Sequence, residues 1–219
     1  MSYLVNLVME GKPAVVVGAG RVAGRKVEGL LAAGARVTVV APRACPEIQA
    51  LAGAGSIRLL WKSYAKGDLE GALLAVAATD DEAVNAAVSE DAQALGVLVN
   101  VVDKPALCTF TLPAVVRRGE LTLAVATEGR CPSLARAIRE ELEARYGPEY
   151  GEALALLGRM RAELSAKGWD SSRIQRAVAE LYRGGIVSLI AAGDRDSVRE
   201  LLAKHASAAE AHNRNSCMT

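Results

Sequence analysis

The sequence predicts an α/β chain: a Rossmann-like parallel sheet, then a small α+β segment, then a helical C-terminal domain. Three observations predict it. Residues 12–41 read strand, G-x-G-x-x-A turn, helix, strand, a βαβ unit of about 30 residues. Strand-like and helix-like stretches then alternate as far as Val102, the pattern of a parallel sheet with right-handed crossovers. From Thr109 the alternation stops, and two apolar runs around a Gly-containing turn lead into a series of helical stretches. The expected divisions are 1–112, 113–147 and 148–219.

Each element has a local cause. Residues 1–11 are an apolar lead-in expected to pack beside the first strand. Ala14 to Val17 is a β-branched run suited to a strand buried on both faces. In the turn that follows, Gly18 permits the tight bend, and Gly20 has no Cβ to hold a pyrophosphate off the backbone. Ala23 is small enough for the helix to pack on the strand, and the helix N-terminus offers free N–H groups to phosphates. A tight turn without a ligand is the other reading of the same residues. The helix runs through Ala33, and Val37 to Ala41 is the second strand. Pro42-Arg43 begins a loop and Pro46 to Leu51 a short helix; Ile57 to Trp61 and Leu73 to Ala78 are the third and fourth strands. Asp80 or Asp81 caps the helix Glu82 to Leu95, and Val97 to Val102 is the fifth strand. The crevice of an open parallel sheet lies at the strands' C-terminal ends, so Gly18–Val22, Pro42-Arg43, Thr79–Asp81 and Asn100–Asp103 are expected to face it.

Phe110 to Val116 and Leu121 to Thr127 are expected to pair as a hairpin. Pro132 suits the first turn of a helix to about Tyr146, with Leu134, Ile138 and Leu142 along one face and Gly147-Pro148 as its stop. Helices follow over Tyr150 to Lys167 and Ser171 to Arg183, with a further pair around Val187 and over Val198 to Lys204. The tail from Ala206 is small, polar and expected to fray.

Composition narrows the function classes. The net charge is +1, with 10 basic against 11 acidic side chains in residues 1–112 and 16 against 14 in the remainder. Neither part has the basic excess of a nucleic-acid binder, and aromatic residues for stacking bases are scarce. Cys45, Cys108, Cys131 and Cys217 show no C-x-x-C spacing, which fits a reducing compartment better than zinc or disulfides. His205 and His212 both lie near the C-terminal end, so no histidine triad or metal set is expected at the glycine turn. No signal peptide is visible, and no apolar run approaches the ~18 residues of a membrane helix. A cytoplasmic protein with no membrane or nucleic-acid partner is expected.

The chemistry-bearing candidates follow from that layout. A carboxylate usually reads the adenine ribose at the end of the second strand, but here Val39-Val40-Ala41-Pro42-Arg43 has none. Arg43 either meets a 2′-phosphate, favouring NADP, or lies over the adenine; NAD is the expected cofactor with NADP possible. Asp103 follows the fifth strand, where a carboxylate can take a proton while a hydride leaves; a turn aspartate before Pro105 is the alternative. Asn100 either contacts the cofactor or satisfies local backbone. Arg117, Arg118, Arg130, Arg136 and Arg139 group around the hairpin and the next helix. They suit either a polycarboxylate ligand or a solvated face.

Together, Gly18-Ala19-Gly20-Arg21-Val22-Ala23 with Arg25-Lys26, Ala78-Thr79-Asp80-Asp81, Asn100-Val101-Val102-Asp103 and Pro132-Ser133-Leu134-Ala135-Arg136 resemble the precorrin-2 dehydrogenase/sirohydrochlorin ferrochelatase family. That family includes the N-terminal module of siroheme synthase. The resemblance covers roughly residues 2–146. It implies NAD-dependent oxidation of precorrin-2 to sirohydrochlorin, a tetrapyrrole step toward siroheme. It also implies a homodimer formed through 113–147 and a helical C-terminal domain over 148–219 that completes the active site. By position it makes Arg21, Val22, Pro42 and Arg43 cofactor contacts and Asp103 the essential aspartate, which in bifunctional members also serves metal insertion. Gly18, Gly20, Thr79, Asp80 and Asn100 complete the expected cofactor set, and Arg117, Arg130 and Arg136 are the expected substrate contacts. Many relatives have Ser where this chain has Cys131, and a thiol is a poor N-cap. No methyltransferase region follows, so the chain is expected to act after a separate enzyme makes precorrin-2. Insertion of iron or cobalt into sirohydrochlorin, and a non-catalytic NAD-sensing module, are the alternative functions.

Overall fold

The β-branched runs of the first half become one parallel sheet. A computed structural model describes residues 3–204 and divides the chain into two units, Met1–Leu112 and Pro113–Thr219. The expectations for His205, His212, Cys217 and the tail from Ala206 lie outside the described residues.

The first unit runs β1 (Pro13–Val17), α1 (Arg21–Ala32), β2 (Arg36–Val40), α2 (Pro46–Gly53), β3 (Arg58–Leu60), β4 (Leu74–Ala77), α3 (Glu82–Leu95) and β5 (Leu98–Val101). The strands lie in the order β3-β2-β1-β4-β5 and every pairing is parallel. Alternate residues of β1 serve opposite faces. Ala14 and Val16 pack with Ala23, Val27 and Ile48 from α1 and α2, while Val15 and Val17 pack with Val88 and Ala92 of α3. Register brings Val17 level with Val40 and Ala77. The ladder extends one residue past the strands: Gly18 N–H donates to Val40 O at 2.9 Å, Ala78 N–H to Val17 O at 2.8 Å, and Val102 N–H to Ala77 O at 2.9 Å. The loops after β1, β2, β4 and β5 therefore leave from one edge of the sheet.

The lead-in departs from expectation. Residues 3–8 carry no regular structure and are exposed, Tyr3 at 90% and Val8 at 76%; the first buried side chain is Met9. The reason is topological: β1 has β2 on one side and β4 on the other, so no edge of β1 is free to receive them.

The second unit begins with an antiparallel hairpin, β6 (Ala114–Arg118) and β7 (Leu121–Val125). Its two-residue turn starts at Gly119, whose φ of +58° suits the first position of a primed turn. The hairpin starts four residues later than expected, because Pro113 has no N–H for the ladder and residues 108–110 are bonded to β5. Helices α4 (Pro132–Arg145), α5 (Glu149–Ala166), α6 (Ser171–Arg183) and α7 (Ile186–Ala191) follow, then a helical stretch over 195–204. Met160, Leu164, Ile174 and Leu181 form one interior cluster, and Ala153, Ile186, Ile190 and Val198 another. Among the described residues no helix is long and apolar enough to cross a membrane.

Candidate functional site

The glycine turn is built as its sequence requires. Gly18 has φ +103°, and a Cβ there would lie 2.3 Å from Ala78 O, so only glycine fits between β1 and β4. Gly20 serves a different purpose. Its φ of −83° and ψ of −177° are open to any residue, and apart from its chain neighbours no atom of the described residues lies within 4 Å of the place a Cβ would take. That side of the backbone is open. The first hydrogen bond of α1 runs from Gly24 N–H to Gly20 O, which leaves the N–H groups of Arg21, Val22 and Ala23 without an intrahelical acceptor. No acidic side chain occupies the first turn of α1, and Gly20 has no side chain to cap it. Bare backbone, unused donors and the positive end of a helix fit a dinucleotide's pyrophosphate.

Pro42 and Arg43 are exposed where the chain leaves β2. The loop then folds back onto the turn, with Cys45 N–H donating to Ala19 O at 2.9 Å. Glu47, in the first turn of α2, has its carboxyl held below the usual range by backbone N–H donation, with the Cys45 side chain and the Arg21 charge adding to the effect.

After β4 the polar groups of Thr79 are used locally. Its hydroxyl donates to Asn85 Oδ1 at 2.9 Å or Asp81 O at 3.0 Å, and Asn85 Nδ2 donates to Thr79 O at 2.9 Å. Of the two candidate caps Asp81 takes the role: its Oδ1 accepts from Ala83 N–H at 2.9 Å and Val84 N–H at 3.1 Å. Asp80 is exposed beside it.

Asp103 stands at the mouth of β5. Its φ is +58°, one of two non-glycine positive values among the described residues. Aspartate tolerates this left-handed region better than most side chains, and such conformations persist where surrounding bonds enforce them. The enforcing bonds are present. Asn100, 8% exposed, donates from Nδ2 to Phe110 O at 3.1 Å. Val99 N–H donates to Thr109 Oγ1 at 2.8 Å, and Val101 N–H donates to Cys108 Sγ at 3.2 Å. Lys104 pairs with Glu82 at 2.7 Å and holds that carboxyl below its usual range. Asp103 shares a shallow hollow of about 230 Å³ with Lys26, Asn100, Lys104 and Cys108.

The structure brings Gly18, Gly20, Pro42, Arg43, Thr79, Asp80 and Asp103 to loops leaving one sheet edge, with Arg21 and Val22 opening α1 and Asn100 near the end of β5. Lys26 and Cys108 are additions that sequence reasoning missed. Lys26 carried a signal, since it lies in the second turn of the helix that begins at Arg21, directly after the glycine turn; Cys108 carried none.

The arginines belong to the second unit and divide by role. Arg118 closes α4: its Nε donates to Tyr146 O at 2.8 Å and one terminal nitrogen to Glu143 O at 2.9 Å. Arg139 pairs with Glu140 and Glu143. Arg136 is exposed and bonded to Glu140 at 2.9 Å, while Arg117 and Arg130 are exposed. Cys131 precedes α4 without a capping hydrogen bond from its side chain. Among the described residues no group of three or more His, Cys, Asp or Glu is placed to hold a metal ion.

A family model described as "Putative NAD(P)-binding" matches residues 5–114, half of the chain. The siroheme synthase of Stutzerimonas stutzeri (strain A1501) is 40% identical over 196 residues, which is 90% of this chain and 42% of that protein. The siroheme synthase of Pseudomonas aeruginosa (strain LESB58) is 41% identical over 204 residues, 93% of this chain and 44% of that protein. The chain thus spans less than half the length of these curated relatives. Among solved structures, the precorrin-2 dehydrogenase SirC superposes with a TM-score of 0.77 at 28% identity, covering 94% of this chain and all of that one.

Proposed function

The chain belongs to the NAD(P)-binding family that includes the N-terminal module of siroheme synthase, and from that premise we propose that it oxidises precorrin-2 to sirohydrochlorin. The observation that carries this reading is the pairing, on one sheet edge, of an open-backed glycine turn with a carboxylate fixed in a left-handed conformation. Precorrin-2 and NAD give sirohydrochlorin, NADH and a proton, so the macrocycle loses one hydride and one proton. When bound, NAD supplies the hydride acceptor.

The chain's own residues do the rest. Gly18 and Gly20 shape the turn, and the N–H groups of Arg21, Val22 and Ala23 hold the pyrophosphate. Pro42 and Arg43 flank the adenosine end, while Thr79, Asp80 and Asn100 border the remainder of the cofactor. The Asp103 carboxylate accepts the proton that leaves as conjugation extends, a role for which an exposed carboxylate at the hollow's mouth is suited. Arg117, Arg130 and Arg136 pair with substrate carboxylates, Arg136 exchanging its bond to Glu140. A hollow of about 230 Å³ has room for an edge of a tetrapyrrole, not its whole span. Positioning and one base suffice, because the driving force resides in the new conjugation.

NAD rather than NADP is our choice for the working cofactor. Arg43 is the side chain through which a 2′-phosphate would be gripped, so comparing both cofactors against wild type and Arg43→Ala separates the two. A cytoplasmic homodimer that pairs through 113–147 completes the reading; Cys45, Cys108 and Cys131 as free thiols suit a reducing compartment. The test is to mix the protein with precorrin-2 and NAD or NADP and follow the sirohydrochlorin spectrum. Conversion above a cofactor-free control supports the reading, and none with either cofactor removes it.

A further inference from the structure

β5 is the last strand of its sheet, so its outward backbone groups need partners from elsewhere. The segment after the Asp103 turn supplies them in an unusual way. Thr109 N–H donates to Val99 O at 2.9 Å, and Thr109 Oγ1 accepts from Val99 N–H. Two residues along, where a backbone carbonyl would ordinarily accept, the acceptor for Val101 N–H is Cys108 Sγ at 3.2 Å. The single thiol proton is shared between Val101 O at 3.3 Å and Lys104 O at 3.4 Å. Cys108 N–H closes the 3-10 turn Pro105–Leu107 by donating to Pro105 O at 3.1 Å.

One side chain thus ties the end of β5 to the far side of a loop with Asp103 near its start. The turn's own bond, from Lys104 N–H to Val101 O, is long at 3.3 Å, and the thiol reaches both of its end residues. Other side chains restrain the same loop, with Lys104 reaching Glu82, Asn100 Nδ2 donating to Phe110 O at 3.1 Å and Ser89 Oγ donating to Leu107 O at 2.8 Å, but none of them joins Val101 to Lys104. We infer that Cys108 is a positioning residue for Asp103, its thiol bridging Val101 and Lys104 so that the carboxylate is held in its left-handed turn at the hollow. This deepens the dehydrogenase reading and rests on it.

The experiment compares Cys108→Ala, Cys108→Ser and Asp103→Asn with wild type, measuring kcat and KM for precorrin-2 and the Kd for NAD. Amide exchange at Val101 and Lys104 is followed in the same proteins. Serine keeps a donor and an acceptor at the same place, and alanine keeps neither. The expected result is a fall in kcat of roughly 10- to 100-fold for Cys108→Ala, the loss associated with a misplacement of order 1 Å. The NAD Kd stays within about twofold, amide exchange at Val101 is faster, and Cys108→Ser recovers most of the rate. Equal kcat for Cys108→Ala and wild type overturns the inference. So does a serine variant no better than alanine, or a rate loss matched by an equal loss of NAD affinity. If Cys108→Ala does not fold, the serine variant and wild-type exchange decide: a serine variant with full exchange protection but a kcat at least about tenfold below wild type also overturns it. Asp103→Asn separates the two levels. If it retains its rate, the carboxylate reading fails and the inference with it; if it loses its rate while Cys108→Ala does not, the inference alone fails.

Discussion

The two glycines of the nucleotide turn are expected to fail in opposite ways when each gains a methyl group. At position 18 the backbone has φ +103°, and the new Cβ would sit 2.3 Å from Ala78 O and 2.7 Å from Ala78 C. Both atoms are backbone at the end of β4, so the strand or the turn must shift to relieve the overlap. Strain of this kind costs about 1–3 kcal/mol, and overpacking adds about 1–3 kcal/mol more. Gly18→Ala should therefore lower the melting temperature by roughly 4–24 °C. At position 20 the backbone is extended and the space is open, so Gly20→Ala should change stability by less than about 1 kcal/mol. On the proposed reading its methyl would fill the place where the pyrophosphate meets the backbone, and NAD affinity should fall at least about tenfold, or about 1.4 kcal/mol. Thermal unfolding without ligand and calorimetric NAD binding measure the two effects separately. A Gly20→Ala protein that binds NAD as wild type does, or that loses as much stability as Gly18→Ala, refutes the assignment of different purposes to the two residues.

The remaining expectations concern other parts of the chain. Arg118→Ala should destabilise by about 1–3 kcal/mol, since it leaves Tyr146 O and Glu143 O without their charged donor; Arg117→Ala and Arg130→Ala should leave the melting temperature unchanged and raise KM for precorrin-2. Asp81→Ala removes the N-cap of α3 and should cost about 1 kcal/mol in chemical denaturation. Burial, with the bond to Asp91, raises the Tyr64 phenol above its ordinary value. A raised value means stability present below the unfolded pKa and lost as pH rises through the folded one. Tyr64 should therefore ionise late in an ultraviolet titration, and Tyr64→Phe should remove that step. Asp170 shows the opposite sign: the Ser172 hydroxyl and Arg173 N–H hold its carboxyl low. The stability difference between wild type and Asp170→Ala should be present at neutral pH and vanish as pH falls through the folded value.

The nucleotide-binding half was legible because its signals are local. A β-branched run, two glycines with distinct tasks and a small residue at position 23 fix strand, turn and helix over a few residues, and strand-helix alternation then leaves few topologies. The position of Asp103 just past β5 was legible for the same reason, since strand-helix alternation locates the strand's end. What stayed hidden depends on partners distant in sequence. Arg118 looks like its neighbours in the sequence, and only the C-terminus of α4, 28 residues on, gives it a structural task. The thiol of Cys108 replaces a carbonyl on an edge strand, a substitution with no compositional signature. The lead-in is expected to pack beside β1 from its apolar residues, but whether it packs depends on whether β1 has a free edge, and that is a property of the whole sheet. Thr79 presents the same problem on a smaller scale, its hydroxyl consumed by Asn85 six residues away.

The most direct measurement is the rate of NADH formation when enzyme, NAD and precorrin-2 are mixed at saturating concentrations, wild type against Asp103→Asn. Asparagine also tolerates the left-handed backbone at this position, so the fold and NAD affinity should be kept while the proton acceptor is lost. The rate should drop by roughly 10²- to 10⁴-fold. A variant that forms NADH within about twofold of wild type would mean that this carboxylate does not take the proton.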